Sequence, residues 1–530
     1  MNMRRQLIHY VRTSRLLCSA MFKMASDDPA LFLEKVFQRI KQSPFRAGLK
    51  YFPSIPHRKT AVQRMYDEGE LRALQEILAS GTESTSYEEL SSADKHRVAR
   101  ASERLQLLEK EVTGVRAPSD IRTLQKSGAP CVLFYLTNSL PHTMSGYTYR
   151  SHNTLLALKQ SGIRVAAMTR LGYPLVVGKW PRKDCEIVEG IPYFRSLPRS
   201  YPGSLIERLE IEVELLVKQA RDFGADILHT TTDYNNALVV AEAARQLGIP
   251  WVYEVRGELE STWLSKHPAE RQETLVKSDF YQLARSQETA CMKAANAVVA
   301  LSEVSKAELL DRGVSREKIT VVANAVHDDS VNREFDQSLL RKELGLEDTT
   351  TVGTVTSVVG YEGIDVLLRA VVFTPKIRVL IVGDGSSRVE LEKLAKALGL
   401  SGRVSFVGQQ PSESIWKWYA VLDAFVVPRR DTPVCRKVTP IKALQAQALG
   451  VPVIASDLPA LREITGQYAH YFQPEDPEEL ANYLRDIGKH DPEKLEGGKE
   501  WAKKHTWKHN ARRYQKIYRD LMWPFSTCTS

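Results

Sequence analysis

Cysteine is scarce in this sequence, and its arrangement favours neither a disulfide framework nor a metal site. The six cysteines lie far apart, with no CxxC pair and no cluster beside histidines of the kind that a structural zinc requires. Such a distribution is typical of a protein kept in a reducing compartment. We therefore expect no disulfide network and no bound metal.

Long apolar runs are missing as well. No stretch approaches the roughly 20 apolar residues that a membrane-spanning helix needs, so the chain is not expected to cross a bilayer. A secretory signal is disfavoured, because the N-terminal end has no clean apolar region followed by a small-residue cleavage site. We expect a cytoplasmic protein, and association with the cytoplasmic face of a membrane stays open.

Acidic residues are scarce only at the N-terminal end. The 530 residues have a formal net charge of +9, and residues 1–50 contain 10 Lys or Arg against 3 Asp or Glu. Residues 1–24 are a basic leader with three interpretations: an amphipathic segment that contacts anionic lipid, a targeting peptide, or an unstructured extension from a mis-chosen start. No nucleic-acid partner is expected, because the positive charge is confined to one end and is not interleaved with aromatic residues.

The next segment, residues 25–126, is predicted to be a helical module. It opens with Ala25-Ser-Asp-Asp-Pro29, a pattern that favours the start of a helix. Apolar residues then recur at helical spacing in the runs Leu31–Ile40, Leu71–Leu78 and Val98–Leu108. The sequence does not indicate a function for this module.

Short continuous apolar runs then alternate with helical segments, beginning with Cys131–Leu136 and Ile163–Met168. Strands buried on both faces of a parallel sheet have this composition, so residues 127–326 are predicted to form a Rossmann-like domain. The loop holding Ser145-Gly146 follows the first strand and leads into a helix, whose N-terminus favours an anion.

A second alternating series predicts another domain of the same kind at residues 327–505, followed by a closing helix at residues 506–522. Two such domains in tandem place their strand ends on either side of a cleft, where a ligand would bind. The fold class expected from the pattern is therefore α/β.

Several stretches of the chain resemble one known family. In the second domain they are Val382-Gly-Asp-Gly385, Arg403–Gly408, Asp423–Pro428 and Gln445–Ser456, and in the first domain Ser145–Arg150 and Ala300–Lys306. In order and spacing these motifs resemble the retaining glycosyltransferases of family 4, over about residues 128 to 521. The resemblance implies the GT-B fold, with two Rossmann-like domains facing a cleft and, here, an N-terminal helical extension.

The resemblance also implies an activity. A hexosyltransferase of this kind moves a sugar from a nucleotide-sugar donor, on the second domain, to a glycan, glycolipid or polysaccharide precursor of the cell envelope, on the first. The nucleotide sugar is a substrate, so neither a cofactor nor a metal is implied. Two other interpretations stay open: a degenerate GT-B protein that binds a nucleotide sugar or acts as a scaffold, and a GT-B enzyme of another class, such as a sugar-nucleotide epimerase.

Five positions depart from the family pattern. Lys437 and Gln445 stand where two glutamates usually contact the donor sugar and the ribose. Ser357 and Glu362 stand near the positions of an Arg and a Lys that usually neutralise the diphosphate. Arg256 replaces a histidine that many members carry in the first domain.

A subgroup of the family shares the YEG and TPxK motifs found here at Tyr361–Gly363 and Thr439–Lys442. Arg429 and Lys442 are therefore the candidates for the displaced positive charge. The predicted site has three groups of residues: catalytic Arg429, Lys442 and Arg256; donor-binding Ser145, Gly146, Ser357, Glu362, Gly363, Lys437, Thr439 and Gln445; and acceptor-side Tyr147, Arg150 and Glu254.

Overall fold

The computed structural model describes residues 2–27, 59–79, 87–115, 129–487 and 491–522. These residues form two compact units. Unit 1 contains the described residues of Met1–Val299, Arg312–Ile319 and Ile517–Ser530, and unit 2 contains those of Ala300–Asp311 and Thr320–Lys516.

Unit 1 is built on an eight-stranded sheet with the order β3-β4-β2-β1-β5-β6-β7-β8. Its strands are β1 Cys131–Leu136, β2 Arg164–Thr169, β3 Cys185–Val188, β4 Ile191–Arg195, β5 Ile227–Thr231, β6 Trp251–Val255, β7 Ala297–Ala300 and β8 Ile319–Val321. The pairs β1 with β2, β1 with β5, β5 with β6 and β2 with β4 are parallel, whereas β3 and β4 form an antiparallel hairpin. The carboxyl ends of β1, β5 and β6 therefore lie at one edge of the sheet.

The central strands of this sheet are buried on both faces, and β1 is continuously apolar. Every residue of β1, β5 and β6 is buried, as expected for strands covered by helices on both faces. The helices of unit 1 are α1 Asn2–Asp27, α2 Ala61–Glu68, α3 Leu71–Ala79, α4 Ser92–Leu108, α5 Gly146–Gln160, α6 Leu205–Phe223, α7 Tyr234–Leu247, α8 Leu259–Leu264, α9 Ala269–Leu275 and α10 Asp279–Ala294.

The N-terminal helices include parts of the predicted helical module and of the basic leader. The runs Leu71–Leu78 and Val98–Leu108 are confirmed as helices α3 and α4, whereas Leu31–Ile40 lies outside the described residues. The basic leader is helical, and α1 packs on unit 1 through the buried side chain of Leu16.

Unit 2 is built on a six-stranded sheet, order β11-β10-β9-β12-β13-β14, in which all neighbouring strands are parallel. The strands are β9 Thr351–Val355, β10 Arg378–Val382, β11 Val404–Gly408, β12 Ala424–Val427, β13 Val453–Ser456 and β14 His470–Phe472. Alternate residues of β12 enter two hydrophobic clusters, Phe425 and Val427 in one and Ala424 and Val426 in the other. The sheet is thus buried on both faces, as a parallel sheet requires.

The helices of unit 2 are α11 Glu303–Asp311, α12 Asp328–Val331, α13 Gln337–Glu343, α14 Ile364–Val372, α15 Arg388–Ala397, α16 Ile415–Ala420, α17 Pro433–Lys437, α18 Ile441–Ala448, α19 Pro459–Ile464, α20 Pro477–Arg485 and α21 Pro492–Lys503. The last helix, α22 Trp507–Met522, begins in unit 2 and ends in unit 1. Among the described residues, no helix combines the length and apolar character needed to span a membrane.

Candidate functional sites

A fully buried carboxylate lies at the end of β6 in unit 1. Glu254 has no exposed surface, and its Oε1 atom accepts hydrogen bonds from Arg150 Nε at 2.7 Å and Arg256 Nε at 2.9 Å. Its Oε2 atom lies 3.3 Å from His229 Nε2. Arg150, His229, Glu254 and Arg256 are called the Glu254 cluster below.

The protonation states of the Glu254 cluster follow from burial and pairing. Burial alone would raise the pKa of Glu254, but the charges of Arg256 and Arg150 together with His229 hold that pKa well below its usual range. Burial lowers the pKa of His229 although Glu254 opposes the effect, so the imidazole is neutral. Two arginines and one carboxylate leave the cluster with one positive charge in excess.

One member of the Glu254 cluster lines a pocket. A cavity of about 240 Å³ at the carboxyl ends of β1, β5 and β6 is lined by Arg256, Asp233, Glu258 and several hydroxyl and amide side chains. Arg256 Nη1 donates to Ser151 Oγ at 2.6 Å and to the Tyr147 carbonyl at 3.0 Å. Arg256 Nη2 is a buried atom with no hydrogen-bond partner among the described residues.

The N-terminus of α5 opens onto the same pocket. Ser145 caps the helix by a reciprocal arrangement with Thr148, in which each side chain accepts the other residue's backbone N–H. Ser145 and Tyr147 line the pocket, and Tyr147 is 62% exposed. A Cβ atom added at Gly146 would meet nothing within 4 Å, so this position offers open space beside the helix start.

Unit 2 contains a second buried carboxylate between two cations. Glu362 Oε1 accepts hydrogen bonds from Arg429 Nη2 at 3.0 Å and Lys442 Nζ at 3.0 Å, and Arg429 Nε lies 3.3 Å from Oε2. Lys442 also donates to the Thr356 hydroxyl at the end of β9. Glu362, Arg429 and Lys442 are called the Glu362 cluster below.

The turn that presents Glu362 depends on glycine. Gly363 has φ +67°, a left-handed conformation that side chains rarely adopt, and a Cβ atom there would lie 1.8 Å from the Pro428 carbonyl oxygen. The turn can therefore pack directly against the end of β12. This close approach places Glu362 beside Arg429, which follows Pro428 in the chain.

The Glu362 cluster also carries one excess positive charge. Burial would raise the pKa of Glu362, but Arg429 and Lys442 outweigh it and lower that pKa. Burial lowers the pKa of Lys442, and Glu362 partly offsets this effect. Arg429 is fixed further by donating to the Val438 carbonyl at 3.0 Å, whereas the Lys442 side chain stays 24% exposed. Lys442 is therefore the cation of this cluster that a ligand can reach.

The remaining donor-side residues of unit 2 do not join the hydrogen bonds of this cluster. Lys437 pairs with Glu308 at 2.9 Å, and Gln445 Nε2 donates to Ser330 Oγ at 3.1 Å. The buried Thr439 accepts a hydrogen bond from Asn324 at its carbonyl, and Ser357 is exposed on the loop after β9. The three residues predicted to be catalytic thus fall into two groups, Arg429 with Lys442 in unit 2 and Arg256 in unit 1.

Sequence reasoning did not assign a role to three residues that complete these clusters. Tyr518 on α22 lies 2.8 Å from His229 Nδ1, and Thr356 contacts Lys442. His229 looked like an ordinary strand-end residue. The only sequence feature that could have indicated Thr356 is its position at the end of a strand. No sequence feature indicated Tyr518.

In the parts of the chain described here, no three or more His, Cys, Asp or Glu side chains are grouped so that they could hold a metal ion.

Two parts of the chain match known families. Residues 145–325 match the family described as glycosyl transferase 4-like domain, and residues 336–512 match the family described as glycosyl transferases group 1. The chain is a glycosyltransferase. Together the two matches span about two thirds of it.

Curated relatives carry the same kind of name. An uncharacterized glycosyltransferase of Methanocaldococcus jannaschii is 23% identical over 402 residues, which cover 72% of this glycosyltransferase and 96% of the relative. A D-inositol 3-phosphate glycosyltransferase of Nocardioides sp. is 29% identical over 254 residues, 43% of this chain. That match spans 54% of the Nocardioides protein, about half of its length.

Solved structures confirm the fold class of the enzyme. Sucrose-phosphate synthase from Thermosynechococcus elongatus superposes with a TM-score of 0.59 at 22% identity, covering 75% of this chain and all of that one. Anabaena HepE, solved in complex with UDP, superposes with a TM-score of 0.55 at 18% identity, covering 73% and 99%. The α/β, two-domain GT-B fold predicted from the sequence is confirmed.

Proposed function

We propose that this glycosyltransferase transfers a hexose, with retention of configuration, from a nucleotide-sugar donor to a glycan or lipid-linked acceptor of the cell envelope. The donor binds to unit 2 and the acceptor to unit 1. The observation that carries the proposal is the Glu362 cluster, whose excess positive charge ends in the half-buried Lys442.

The donor assignment rests on the charge that develops during the reaction. Cleavage of the bond to the anomeric carbon leaves negative charge on the departing nucleoside diphosphate, so a cation aimed at that group stabilises the transition state. Glu362 keeps Arg429 and Lys442 together and cancels one of their two charges. The remaining charge suits a diphosphate. Anabaena HepE, which has a similar fold, was solved with UDP.

The acceptor assignment rests on the pocket of unit 1. Its lining combines the Arg256 guanidinium, the carboxylates of Asp233 and Glu258 and several hydroxyls. Donors and acceptors of this kind match the hydroxyl groups of a sugar. Retention then follows when the acceptor hydroxyl attacks the face from which the diphosphate leaves, without a protein nucleophile.

Isothermal titration calorimetry with UDP, GDP and ADP tests the donor assignment. One of the three is expected to bind, and the Lys442→Ala variant is expected to weaken that binding about tenfold or more, a loss of about 1.4 kcal/mol. The matched control is Lys417→Ala, which removes the lysine of a surface pair with Glu343 in the same unit and should leave the affinity unchanged. Silence from all three nucleotides with a folded sample would contradict the proposal.

A contact with anionic lipid through α1 is part of the same proposal. Residues 2–26 contain five Lys or Arg and no Asp or Glu, and Tyr10 and Val11 are 59% and 58% exposed. Exposed apolar side chains beside cations favour binding at an anionic membrane surface.

Sedimentation with lipid vesicles tests this contact. The protein should pellet with vesicles of phosphatidylcholine and phosphatidylglycerol but not with phosphatidylcholine alone. Replacing Tyr10 and Val11 by serine should reduce pelleting, whereas Val389→Ser, at another exposed apolar position, should not. Equal pelleting of the two variants would rule out α1 as the contact.

A further inference from the structure

We propose that Tyr518 and His229 are positioning residues that hold Glu254, and through it Arg256, in the orientation in which Arg256 lines the pocket of unit 1. This inference rests on the proposed role of that pocket as the acceptor site. It assigns a part in the reaction to a tyrosine that is 289 residues away from its histidine partner along the chain.

The direction of the hydrogen bonds is fixed by the protonation states. Glu254 is ionised and can only accept, so His229 must donate to it from Nε2. A neutral imidazole that carries its proton on Nε2 has a lone pair on Nδ1, so the Tyr518 hydroxyl must donate there at 2.8 Å. The chain therefore runs from Tyr518 through His229 to Glu254, with every donor pointing towards the carboxylate.

Packing fixes the orientation of the His229 and Tyr518 rings. The His229 ring stacks on Phe134 of β1 with centroids 4.2 Å apart and planes 12° apart. The Tyr518 ring meets it edge-on with centroids 6.0 Å apart, and both residues are fully buried. Because neither ring can turn in such a packed interior, the imidazole presents Nε2 to Glu254 in a single orientation.

The Glu254 carboxylate in turn fixes the orientation of Arg256. One oxygen of Glu254 is used by His229, and the other is shared by Arg150 and Arg256. Arg256 Nε and Nη1 are both engaged, so the guanidinium plane is fixed where the residue lines the pocket. Loss of His229 removes one of the hydrogen bonds that orient Glu254, and loss of the Tyr518 hydroxyl removes one that orients His229. The carboxylate, and with it Arg256, is then held less firmly.

The inference is tested first without turnover, by NMR of the arginine Nε–H group. The Arg256 signal, assigned by its loss in Arg256→Lys, should exchange slowly with solvent in the wild-type enzyme. His229→Leu should speed that exchange about tenfold or more and Tyr518→Phe by less, since an unpaired buried acceptor destabilises its surroundings. His229→Gln should keep it slow, because its amide can donate to Glu254 and accept from Tyr518.

The matched control is Tyr193→Phe, which removes another buried tyrosine–histidine hydrogen bond of unit 1, 2.8 Å from Tyr193 Oη to His152 Nδ1. It should leave the Arg256 signal unchanged. Unchanged exchange in both His229→Leu and Tyr518→Phe, or an equal change in Tyr193→Phe, would overturn the proposal. Tyr518→Phe removes a single oxygen atom, so the test survives if His229→Leu does not fold.

Kinetics supply the second readout, with the nucleotide sugar selected by calorimetry as donor and p-nitrophenyl hexosides as acceptor probes. His229→Leu should lower kcat/KM for the acceptor probe about tenfold and change the donor KM less than twofold. His229→Gln should recover most of the loss. A parallel fall in donor and acceptor parameters would indicate a purely structural role. Absence of turnover in the wild type would count against the proposed function alone, since the NMR experiment decides the positioning role by itself.

Discussion

Glu254 and Glu362 offer a comparison within one chain. Each is a buried carboxylate held between two cations near the carboxyl end of a parallel strand, and each cluster has one positive charge in excess. Glu254 belongs to strand β6 and pairs with two arginines. Glu362 comes from a turn and pairs with one arginine and one lysine.

The difference shows how the same charge count can serve two purposes. In the Glu254 cluster both arginines are at least 95% buried, and the Arg256 guanidinium is held in a fixed plane by the contacts of Nε and Nη1. In the Glu362 cluster Lys442 reaches solvent on a flexible stem and presents a point charge, which suits a diphosphate that changes during the reaction. Under the proposed function, the rigid carboxylate of unit 1 would serve directional recognition of the acceptor, and the carboxylate on a turn in unit 2 would serve adaptable binding of the diphosphate.

The largest expected effect comes from neutralising each carboxylate. Glu254→Gln leaves two buried arginines short of a counter-charge and should lower the free energy of unfolding by about 3–5 kcal/mol. Glu362→Gln should cost less, about 1–3 kcal/mol, because Lys442 can turn towards water. Urea unfolding followed by hydrogen exchange in peptides from β6 and from residues 360–366 measures the two separately. Equal losses of unfolding free energy in the two variants would contradict the difference drawn between the two carboxylates.

A second effect tests the dependence of the Glu362 cluster on its turn. Gly363→Ala places a methyl group against the Pro428 carbonyl at a left-handed φ, and should destabilise unit 2 by about 2 kcal/mol or more. It should also weaken nucleotide binding in calorimetry. Gly360→Ala, three residues earlier with nothing within 4 Å of the added Cβ, is the control and should be tolerated. If both substitutions are harmless, the turn does not hold the carboxylate.

The two clusters should also lose their stabilising contributions at different pH values as the solution is acidified. A carboxylate whose folded pKa is depressed stabilises the fold above its unfolded pKa and loses that contribution as pH falls through the folded pKa. The pKa of Glu362 is lowered and that of Glu254 lies well below its usual range. Hydrogen exchange, corrected for its intrinsic pH dependence, should therefore show residues 360–366 losing protection at a higher pH than β6. The reverse order would contradict the assigned directions.

The smallest effect concerns the helix that carries Arg150. Ser145→Ala removes the cap of α5 and should cost about 1 kcal/mol, seen as a small fall in Tm. Ser387→Ala at the start of α15, where the side chain makes no capping hydrogen bond, should change Tm much less. A similar change in both variants would mean that the Ser145 hydroxyl does not stabilise the start of α5.

The parts of the fold that could be predicted are those fixed by local pattern. Cys131–Leu136 and Val404–Gly408 are strands at the predicted bounds, because continuous apolar runs between turns have few alternatives in a parallel sheet. The run Ile163–Met168 is also a strand, shifted by one residue to Arg164–Thr169. The hairpin of β3 and β4 was missed, because its half-exposed residues give no clear apolar run.

The site was less accessible to sequence reasoning, because its geometry depends on partners distant in the chain. The sequence suggested Arg429 and Lys442 as cations but could not show that both hold Glu362, 67 and 80 residues away. Arg150, Arg256 and Glu254 were all predicted as site residues, yet the contact of both arginines with this carboxylate depends on the register of β1, β5 and β6. The assignment of these residues to donor and acceptor stays a prediction.

The placement of Tyr518 has a consequence for the order in which the protein is made. The residues of unit 2 are almost continuous in the chain and end at Lys516, whereas unit 1 needs the segment that begins at Ile517. During synthesis the Glu254 cluster therefore lacks the donor to His229 until α22 has left the ribosome. We expect the pocket of unit 1 to be the last part of the enzyme to reach its final form on the ribosome.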